Sequence, residues 1–194
     1  MLGILGKKIG MSRVINEEGH FVPVTYIQAE PNEVIQVKTL EKDGYNAVSL
    51  GVDAYARPRK NKKYKFVREV LVDDSSQYKV GQKISLTDLG EIERATITAY
   101  SKGRGFQGGV KRWSFNVARK SHGTKDPRHG STMNNCITGR SKKGNKMPGR
   151  MGNAQITLRD RKIILINTEK NVYAVKGPIP GALNGFIVLK IDSK

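Results

Sequence analysis

Short runs of apolar and β-branched residues, each bounded by turn residues, follow one another along the first hundred positions. Such runs are typical of β-strands, and none of them extends into a sustained apolar repeat of 3.6 residues. The Lys42-Asp43-Gly44 turn signal separates the second run from the third, which predicts a hairpin at that point. The predicted strands cover residues 21–29, 34–40, 47–52, 80–86 and 93–100.

A second series of strands is predicted in the last forty residues, after a glycine-rich stretch. These strands cover residues 156–158, 162–166, 172–176 and 186–191. The segment from Pro178 to Gly181 makes a sharp connection between the last two. Many short strands without a long helix favour a mainly β chain built as a small closed β-barrel. The barrel domain is discontinuous, comprising residues 1–100 and 153–194, and residues 101–152 form a long basic Gly-rich inserted loop.

The positive charge of the chain is concentrated in this insertion. The 194 residues include 35 Lys and Arg against 17 Asp and Glu, a formal net charge of +18. Residues 101–152 hold 13 Lys and Arg and one acid, Asp126, hence +12, whereas the rest holds 22 basic and 16 acidic residues, hence +6. Because such an excess opposes compactness unless a polyanion neutralises it, we expect a nucleic acid or an acidic membrane as partner.

The insertion has too few large apolar residues to form a core of its own. Ordering a chain without burial costs about 1–2 kcal/mol per residue, so we expect phosphate contacts and counterion release to supply the free energy of ordering. Several rings able to stack on unpaired bases lie among its cations, namely Phe106, Trp113, Phe115, His122 and His129. For Trp113 and Phe115 we favour a simpler interpretation, in which they fix the base of the insertion to the barrel.

Gly103, Gly105 and Gly108 spell the G-x-G-x-x-G pattern of a dinucleotide-binding turn, directly after the predicted strand 93–100. That turn requires a crossover helix and a second parallel strand. Only a short helix over residues 110–113 is predicted, and residues 114–153 contain no apolar run of strand length. The pattern therefore gives little support to a nucleotide-dependent enzyme.

Other chemistry is weakly represented in the sequence. Cys136 with His122 and His129 makes a poor zinc site, because structural zinc usually takes four protein ligands. No nucleophile–base pair or paired carboxylates can be placed in the insertion, so we predict no catalytic residue, no metal and no cofactor. No segment has the length of a membrane span and the N-terminus lacks the signal-peptide pattern, so we expect a cytosolic protein. Of the two partners that the charge allows, we expect the nucleic acid and no membrane. The basic stretch 57–65 is either a binding element or a solvated hairpin end, and the sequence favours neither.

Several strings in fixed order resemble one family. They are GILGKKIGMSRV, EKDGYNAVSLG, SKGRGFQGGVKRWSF, SHG, KKGNKMPGRMGN and VKGPIPG, and they extend over nearly the whole chain. Together they resemble large ribosomal subunit protein three in its bacterial form. The strings KGRGFQGGVKRW and KMPGRMGN are far more specific than the three glycines alone.

The resemblance implies a translation-protein-like barrel on the surface of the large ribosomal subunit and a loop that extends toward the peptidyl transferase centre. It also implies direct binding of 23S-type rRNA, a role in nucleating early assembly, and ribosomal proteins fourteen and nineteen as neighbours. The implied rRNA-binding residues are Lys102, Arg104, Lys111, Arg112, Trp113, Arg119, Lys120, His122, Arg128, His129, Arg140, Lys142, Lys143, Lys146 and Arg150.

The chain departs from the family pattern at four places, one of which is the loosely matching region from Arg128 to Ser131. Arg150 occupies a position near the tip of the loop, where some members have a Gln that can be methylated. Ser141 stands where many members have an apolar or aromatic residue, and the segment between Arg57 and Val72 is shortened. Besides the nucleotide-dependent enzyme, a protein that binds DNA without sequence preference remains an alternative interpretation of the charge.

Overall fold

The computed structural model describes residues 2–16, 18–59, 62–89, 92–117, 119, 121–123 and 143–191. Contacts divide the chain into two compact units, one made of Met1–Ser101 with Gln155–Lys194 and the other of Lys102–Ala154. The predicted mainly β class is confirmed, since the two α-helices among the described residues are short. None of the described helices is long and apolar enough to cross a membrane.

The elements of the first unit are numbered along the whole chain. They are β1 (Leu2–Ile15), β2 (Phe21–Gln28), β3 (Asn32–Lys38), α1 (Leu40–Asp43), β4 (Ala47–Arg59), β5 (Lys62–Leu71), β6 (Lys83–Ile84), a 3₁₀ turn (Thr87–Leu89), β7 (Arg94–Tyr100), β10 (Gln155–Asn167), β11 (Val172–Lys176) and β12 (Phe186–Ile191). The second unit contains β8 (Gly105–Gln107), α2 (Gly109–Trp113) and β9 (Gly149–Met151).

Six strands of the first unit close into an antiparallel ring in the order β1-β12-β7-β10-β11-β2. The ring closes because β1 pairs with β12 along one edge and with β2 along the other. Alternate residues of each strand point inward and form a first core, as the period of two in a strand requires. Its fully buried members include Ile4, Ile27, Ile97, Tyr173 and Leu189.

A second sheet of four strands, in the order β5-β4-β3-β6, lies in the same unit. The sequence-predicted strands 34–40, 47–52 and 80–86 belong to this sheet and not to the ring. A second core joins it to the ring, because Leu5 of β1 and Val188 of β12 pack with Val34, Leu50 and Val70. The position of a strand in one sheet or the other depends on distant pairing, which the local pattern does not encode.

Strand β1 is buried on both faces from Gly3 to Gly6 and is mostly exposed beyond Lys8, and the sequence analysis did not predict it. Its glycines and lysines depress strand propensity, which hides the strand from a local pattern search. At Gly3 an added Cβ would lie 2.7 Å from the carbonyl oxygen of Leu189 and 2.9 Å from Cγ1 of Val70. A side chain there would separate β1 from the second sheet. Strand β5 was also not predicted, because its Lys-rich half resembles a loop.

Two connections differ from the local prediction. The segments 156–158 and 162–166 are parts of one strand, β10, whose pairing with β7 shifts register between Leu158 and Arg161. The Asp43-Gly44 signal marks a helical turn, α1, which ends at Gly44 with φ of 80°. The strands on either side, β3 and β4, still pair antiparallel.

Two buried polar side chains hold β1 in place. Asn32 is fully buried; it accepts a hydrogen bond from the Leu5 N–H at 3.2 Å and donates to the carbonyl oxygens of Leu5 and Glu30 at 3.1 and 3.0 Å. The Lys8 ammonium donates to the carbonyl oxygen of Ile179 at 2.6 Å. Buried polar groups are costly unless paired, so both contacts fix the position of the strand.

We expect Asn32→Ala to lower the free energy of unfolding by about 2–4 kcal/mol. The substitution leaves the buried N–H and C=O of Leu5 without a hydrogen-bond partner, which costs about 1–3 kcal/mol for each group. Urea unfolding followed by circular dichroism measures the change. The matched control is Asn16→Ala, at an exposed asparagine near the end of β1, with an expected effect within about 0.5 kcal/mol. Equal effects of the two substitutions would show that the Asn32 amide does not hold β1 against the start of β3.

Candidate nucleic-acid interface

The insertion begins and ends at neighbouring strands of the first unit. The chain leaves β7 at Tyr100 and enters β10 at Gln155, and these two residues are paired across the strands. Within the second unit, β8 and β9 pair antiparallel with Gly105 opposite Met151, Phe106 opposite Arg150 and Gln107 opposite Gly149. We call residues 102–117 and 146–154 the neck of the insertion.

The G-x-G-x-x-G stretch forms part of this neck. Gly105 opens β8, and Gly108 is the N-cap of α2, which has five residues. The next described strand, β9, runs antiparallel to β8, whereas a dinucleotide-binding turn feeds a crossover helix and a parallel strand. The described part of the insertion thus lacks the unit that the enzyme interpretation needs. The short helix predicted over residues 110–113 is confirmed as α2.

Two other glycines let the backbones and side chains of the neck approach closely. A Cβ on Gly152, whose φ is +75°, would collide with the carbonyl oxygen of Lys102. A Cβ on Gly149 would collide with the guanidinium of Arg112. Since both collisions would require the backbone or a held side chain to shift, the glycines of KMPGRMGN serve close packing within the neck.

Trp113 and Arg112 connect α2 to the returning chain. The indole N–H of Trp113 and Nη1 of Arg112 both donate to the carbonyl oxygen of Met147, at 2.9 and 2.8 Å. The Arg112 guanidinium lies 5.0 Å from the centre of the Trp113 ring, and the Lys146 ammonium lies 5.7 Å from it. Phe115 packs against Gly109. These aromatic contacts lie within the insertion itself, a possibility that the sequence analysis did not consider.

The predicted rRNA-binding residues fall into three groups. Nine are exposed, and Arg112 is half-buried by the contacts above. Five lie outside the described residues, as does Cys136. The exposed ones are Lys102, Arg104, Lys111, Trp113, Arg119, His122, Lys143, Lys146 and Arg150, and those outside the described residues are Lys120, Arg128, His129, Arg140 and Lys142.

The exposed cations of the insertion carry uncompensated charge. Within the described ranges, the ion pairs join Lys7 and Lys65 to Asp53, Lys38 to Glu69, and Arg94 to Asp160, all in the first unit. The described part of the insertion contains no Asp or Glu at all. Apart from Arg112, its guanidinium and ammonium groups are therefore available to phosphate oxygens, with which such groups form charge-assisted hydrogen bonds.

Arg150 lies in β9, opposite Phe106 at the base of the insertion, and not near the tip of the loop as the resemblance had suggested. Its cross-strand partner Phe106 is 73 % exposed. The pair presents a planar cation and an open ring side by side, which are groups suited to a phosphate and to an unpaired base.

The structure adds a cationic surface that the predicted site did not include. Of the basic stretch 57–65, residues 57–59 and 62–65 form the outer part of the hairpin β4–β5, where Arg57, Arg59, Lys62 and Lys63 are exposed. The sequence signal was present in the run RPRKNKKYK, but its location on paired strands was not evident. Among the described residues no cluster of His, Cys, Asp and Glu is arranged to hold a metal ion.

Comparison with known proteins identifies close relatives over the full length. The family model described as ribosomal protein L3 matches residues 61–179. The large ribosomal subunit protein uL3 of Desulfotalea psychrophila is 44% identical over 209 residues, which cover 100% of this chain and 98% of that protein. Proteins of the same name from Dehalococcoides mccartyi and a Geobacillus species are 41% and 36% identical, over 99% and 97% of this chain and 98% and 95% of theirs.

These relatives span both the ring-and-sheet unit and the basic insertion, so the similarity is not confined to one motif. The match of the family model includes the neck, with the paired strands β8 and β9 and the helix α2. The chain belongs to the ribosomal protein L3 family, in its bacterial form.

Proposed function

We propose that the chain is a structural constituent of the large ribosomal subunit that binds 23S-type rRNA directly, mainly through its insertion. Residues 1–100 and 153–194 act as the globular domain, a small barrel of the translation-protein type, and residues 101–152 act as an rRNA-penetrating extension. Membership of a family of large-subunit ribosomal proteins supports the assignment. The chain then acts in the cytoplasm as part of the ribosome.

The observation that carries this proposal is the uncompensated charge of the insertion. Seven of its described Lys and Arg residues are exposed, and no described carboxylate of the insertion faces them. Neutralising such charges on an RNA backbone releases counterions, which is a large favourable contribution to binding. The same charges repel one another in the free protein, so binding also relieves that repulsion.

The neck gives the extension a defined start. The Met147 carbonyl oxygen, held by Arg112 and Trp113, keeps the outgoing and returning chains together. Exposed Phe106 and Arg150 stand beside each other on β8 and β9, where they are free to stack on a base and to bind a phosphate. In this proposal Arg112 and Trp113 mainly position the chain, while Lys102, Arg104 and Lys111 contact RNA.

The finer roles come from the family resemblance. We propose that the protein binds rRNA early, that it nucleates assembly, and that its extension reaches toward the peptidyl transferase centre with proteins fourteen and nineteen as neighbours. A catalytic role is not part of the proposal, which agrees with a family of structural components. A DNA-binding role would predict equal affinity for duplex DNA and rRNA.

The affinity for rRNA should depend steeply on the salt concentration. If the seven exposed cations each contact a phosphate, the logarithm of affinity should fall with the logarithm of salt at a slope of roughly −5 to −6. Filter binding of a large-subunit rRNA transcript between 0.05 and 0.5 M KCl measures the slope, with a DNA duplex of matched length as control. A slope shallower than about −2 would contradict the proposal, and equal affinity for DNA would favour the DNA-binding alternative.

The second prediction separates the extension from the globular domain. Replacing residues 119–142 with a ten-residue Gly-Ser linker should leave thermal unfolding cooperative, because few large apolar residues are removed. Incorporation into large subunits should fall sharply. The control is a scrambled segment of the same length and composition, which keeps the charge and loses the order of residues. Unfolding of the linker variant would show that the extension belongs to the core.

The third prediction concerns Arg150. Because the side chain is exposed, Arg150→Ala should leave the melting temperature almost unchanged, while loss of one phosphate contact lowers the salt slope by about 1. Arg150→Glu should be worse, since it places a carboxylate against phosphates, and Arg150→Gln should be the mildest. Genetic complementation, together with profiles of the ribosomal subunits, compares the three variants.

Arg159→Glu is the control for this series, because Arg159 is exposed on β10 in the other unit. Indistinguishable profiles for Arg150→Ala, Arg150→Gln and Arg150→Glu would show that Arg150 makes no important RNA contact.

A further inference from the structure

The hairpin β4–β5 has an inner part that packs and an outer part that does not. From Ala47 to Val52 every residue of β4 is buried, whereas from Asp53 to Arg59 none is. On β5 the residues from Lys62 to Glu69 are likewise exposed or half-buried. We call residues 53–65 the outer hairpin. A two-stranded ribbon that buries no apolar face contributes little to stability, so another role has to account for its ordered strands.

The base of the outer hairpin is fixed to the rest of the first unit. The Asp53 carboxylate forms ion pairs with the ammonium groups of Lys7 and Lys65, with N–O distances of 2.7 and 3.1 Å. The hydrogen bond from Lys7 holds the pKa of the Asp53 carboxyl below its usual range, so it stays charged. Tyr64 donates a hydrogen bond to Glu33 on β3, and Gly51 packs against the Tyr64 ring. The one acid of the outer hairpin is thus already matched by two lysines.

Beyond these contacts the pairing of β4 with β5 becomes irregular, and a groove lies at this part of the hairpin. Ala54 pairs with Tyr64 and Arg59 with Lys62, so the four residues 55–58 of β4 face Lys63 alone. Pro58 lies in this irregular stretch, where its missing N–H removes no ladder hydrogen bond. The groove is about 340 Å³, and its described lining is Tyr55, Arg57, Arg59 and Lys62. The Lys62 ammonium lies 5.6 Å from the centre of the Tyr55 ring.

The chemistry of this groove selects an extended polyanion. The outer hairpin has six Lys and Arg, at positions 57, 59, 60, 62, 63 and 65, against Asp53 alone, a net charge of +5. No described carboxylate pairs with Arg57, Arg59, Lys62 or Lys63. Guanidinium groups bind phosphate oxygens in a bidentate way, and an aromatic ring beside them offers a stacking surface for an unpaired base. Cations spread over two strands suit successive phosphates better than one small anion.

We propose that the outer hairpin is a second RNA-binding element, separate from the insertion, in which Arg57, Arg59 and Lys62 bind the phosphate backbone of an RNA strand and Tyr55 stacks on an unpaired base. The inference rests on the proposed function for the source of the RNA, which is the large-subunit rRNA. It goes beyond that function because it gives the globular unit its own contact with RNA.

The test uses the full chain, a large-subunit rRNA transcript and filter binding across 0.05–0.2 M KCl. Three charge-neutralised variants with the same loss of three positive charges are compared. The hairpin variant is Arg57→Gln/Arg59→Gln/Lys62→Gln, the insertion variant is Lys102→Gln/Lys111→Gln/Lys143→Gln, and the control is Lys42→Gln/Lys79→Gln/Lys170→Gln, at exposed lysines elsewhere on the first unit. Thermal melting checks that each variant folds.

We expect the hairpin variant to reduce the steepness of the salt slope by roughly 2 to 3, and the control by less than 1. Over a fourfold change of salt, the unmodified chain then loses roughly 15- to 65-fold more affinity than the hairpin variant. Tyr55→Ala should weaken binding by at least about fivefold, while Tyr55→Phe should retain it, because the ring does the stacking. Cross-linking to a 4-thiouridine-substituted transcript should label peptides from residues 53–65.

Each outcome separates this inference from the proposed function. A hairpin variant that behaves as the control, while the insertion variant loses slope, overturns the inference alone. Unchanged slopes in both variants overturn the proposed function as well. Loss in the hairpin variant alone supports the inference and contradicts the role of the insertion. Hairpin-dependent binding to vesicles with 30% phosphatidylglycerol, without any effect on the transcript, would assign the groove to a membrane surface and overturn the inference.

Discussion

The first unit depends on the first part of β1, which is buried on both faces from Gly3 to Gly6. Ile4 of β1 points into the ring, and the next residue, Leu5, points into the core under the second sheet. The strand therefore closes the ring and supports the sheet at the same time. Gly3 permits the approach of Val70, and Asn32 satisfies both backbone groups of Leu5 on the side away from β12. A polar or bulky substitution between Gly3 and Gly6 would disturb two cores at once.

Charge is distributed differently in the two units. The first unit matches several of its cations with carboxylates, as in the pairs of Lys38 with Glu69 and Arg94 with Asp160. Such exposed pairs contribute little to stability, but they limit the local excess of charge. The cations of the insertion, and Arg57, Arg59, Lys62 and Lys63 of the outer hairpin, have no carboxylate partner in the described ranges. The same feature that weakens the free chain through repulsion favours its association with phosphates.

The number of cations in the insertion is not the number of RNA contacts. Arg112 donates to the Met147 carbonyl oxygen, lies beside Trp113 and closely approaches Gly149, so part of its donor capacity is used within the neck. Lys111, one residue before it on α2, is exposed. Neighbouring residues of the string KGRGFQGGVKRW thus divide between holding the chain and facing outward. A substitution of Arg112 would affect the neck geometry before it affected any contact with phosphate.

The sequence by itself determined the mainly β character of the chain, the basic stretch between β7 and β10, the short helix α2, and the bounds of β11 and β12. These features depend on local composition and on alternating apolar residues, which are readable along the chain. The family was also readable, because the strings that carry the resemblance are long and specific. The residues assigned to rRNA binding remain predictions, and a third of them lie outside the described residues.

Only the tertiary structure decided which strands join the ring and which form the second sheet. It also decided that β1 is a strand despite its glycines, that Arg150 lies on β9 opposite Phe106, and that the basic stretch 57–65 flanks a groove. The physical reason is that strand pairing is non-local. Alternation indicates that a strand has a buried face, but the partner that buries it comes from a distant part of the chain.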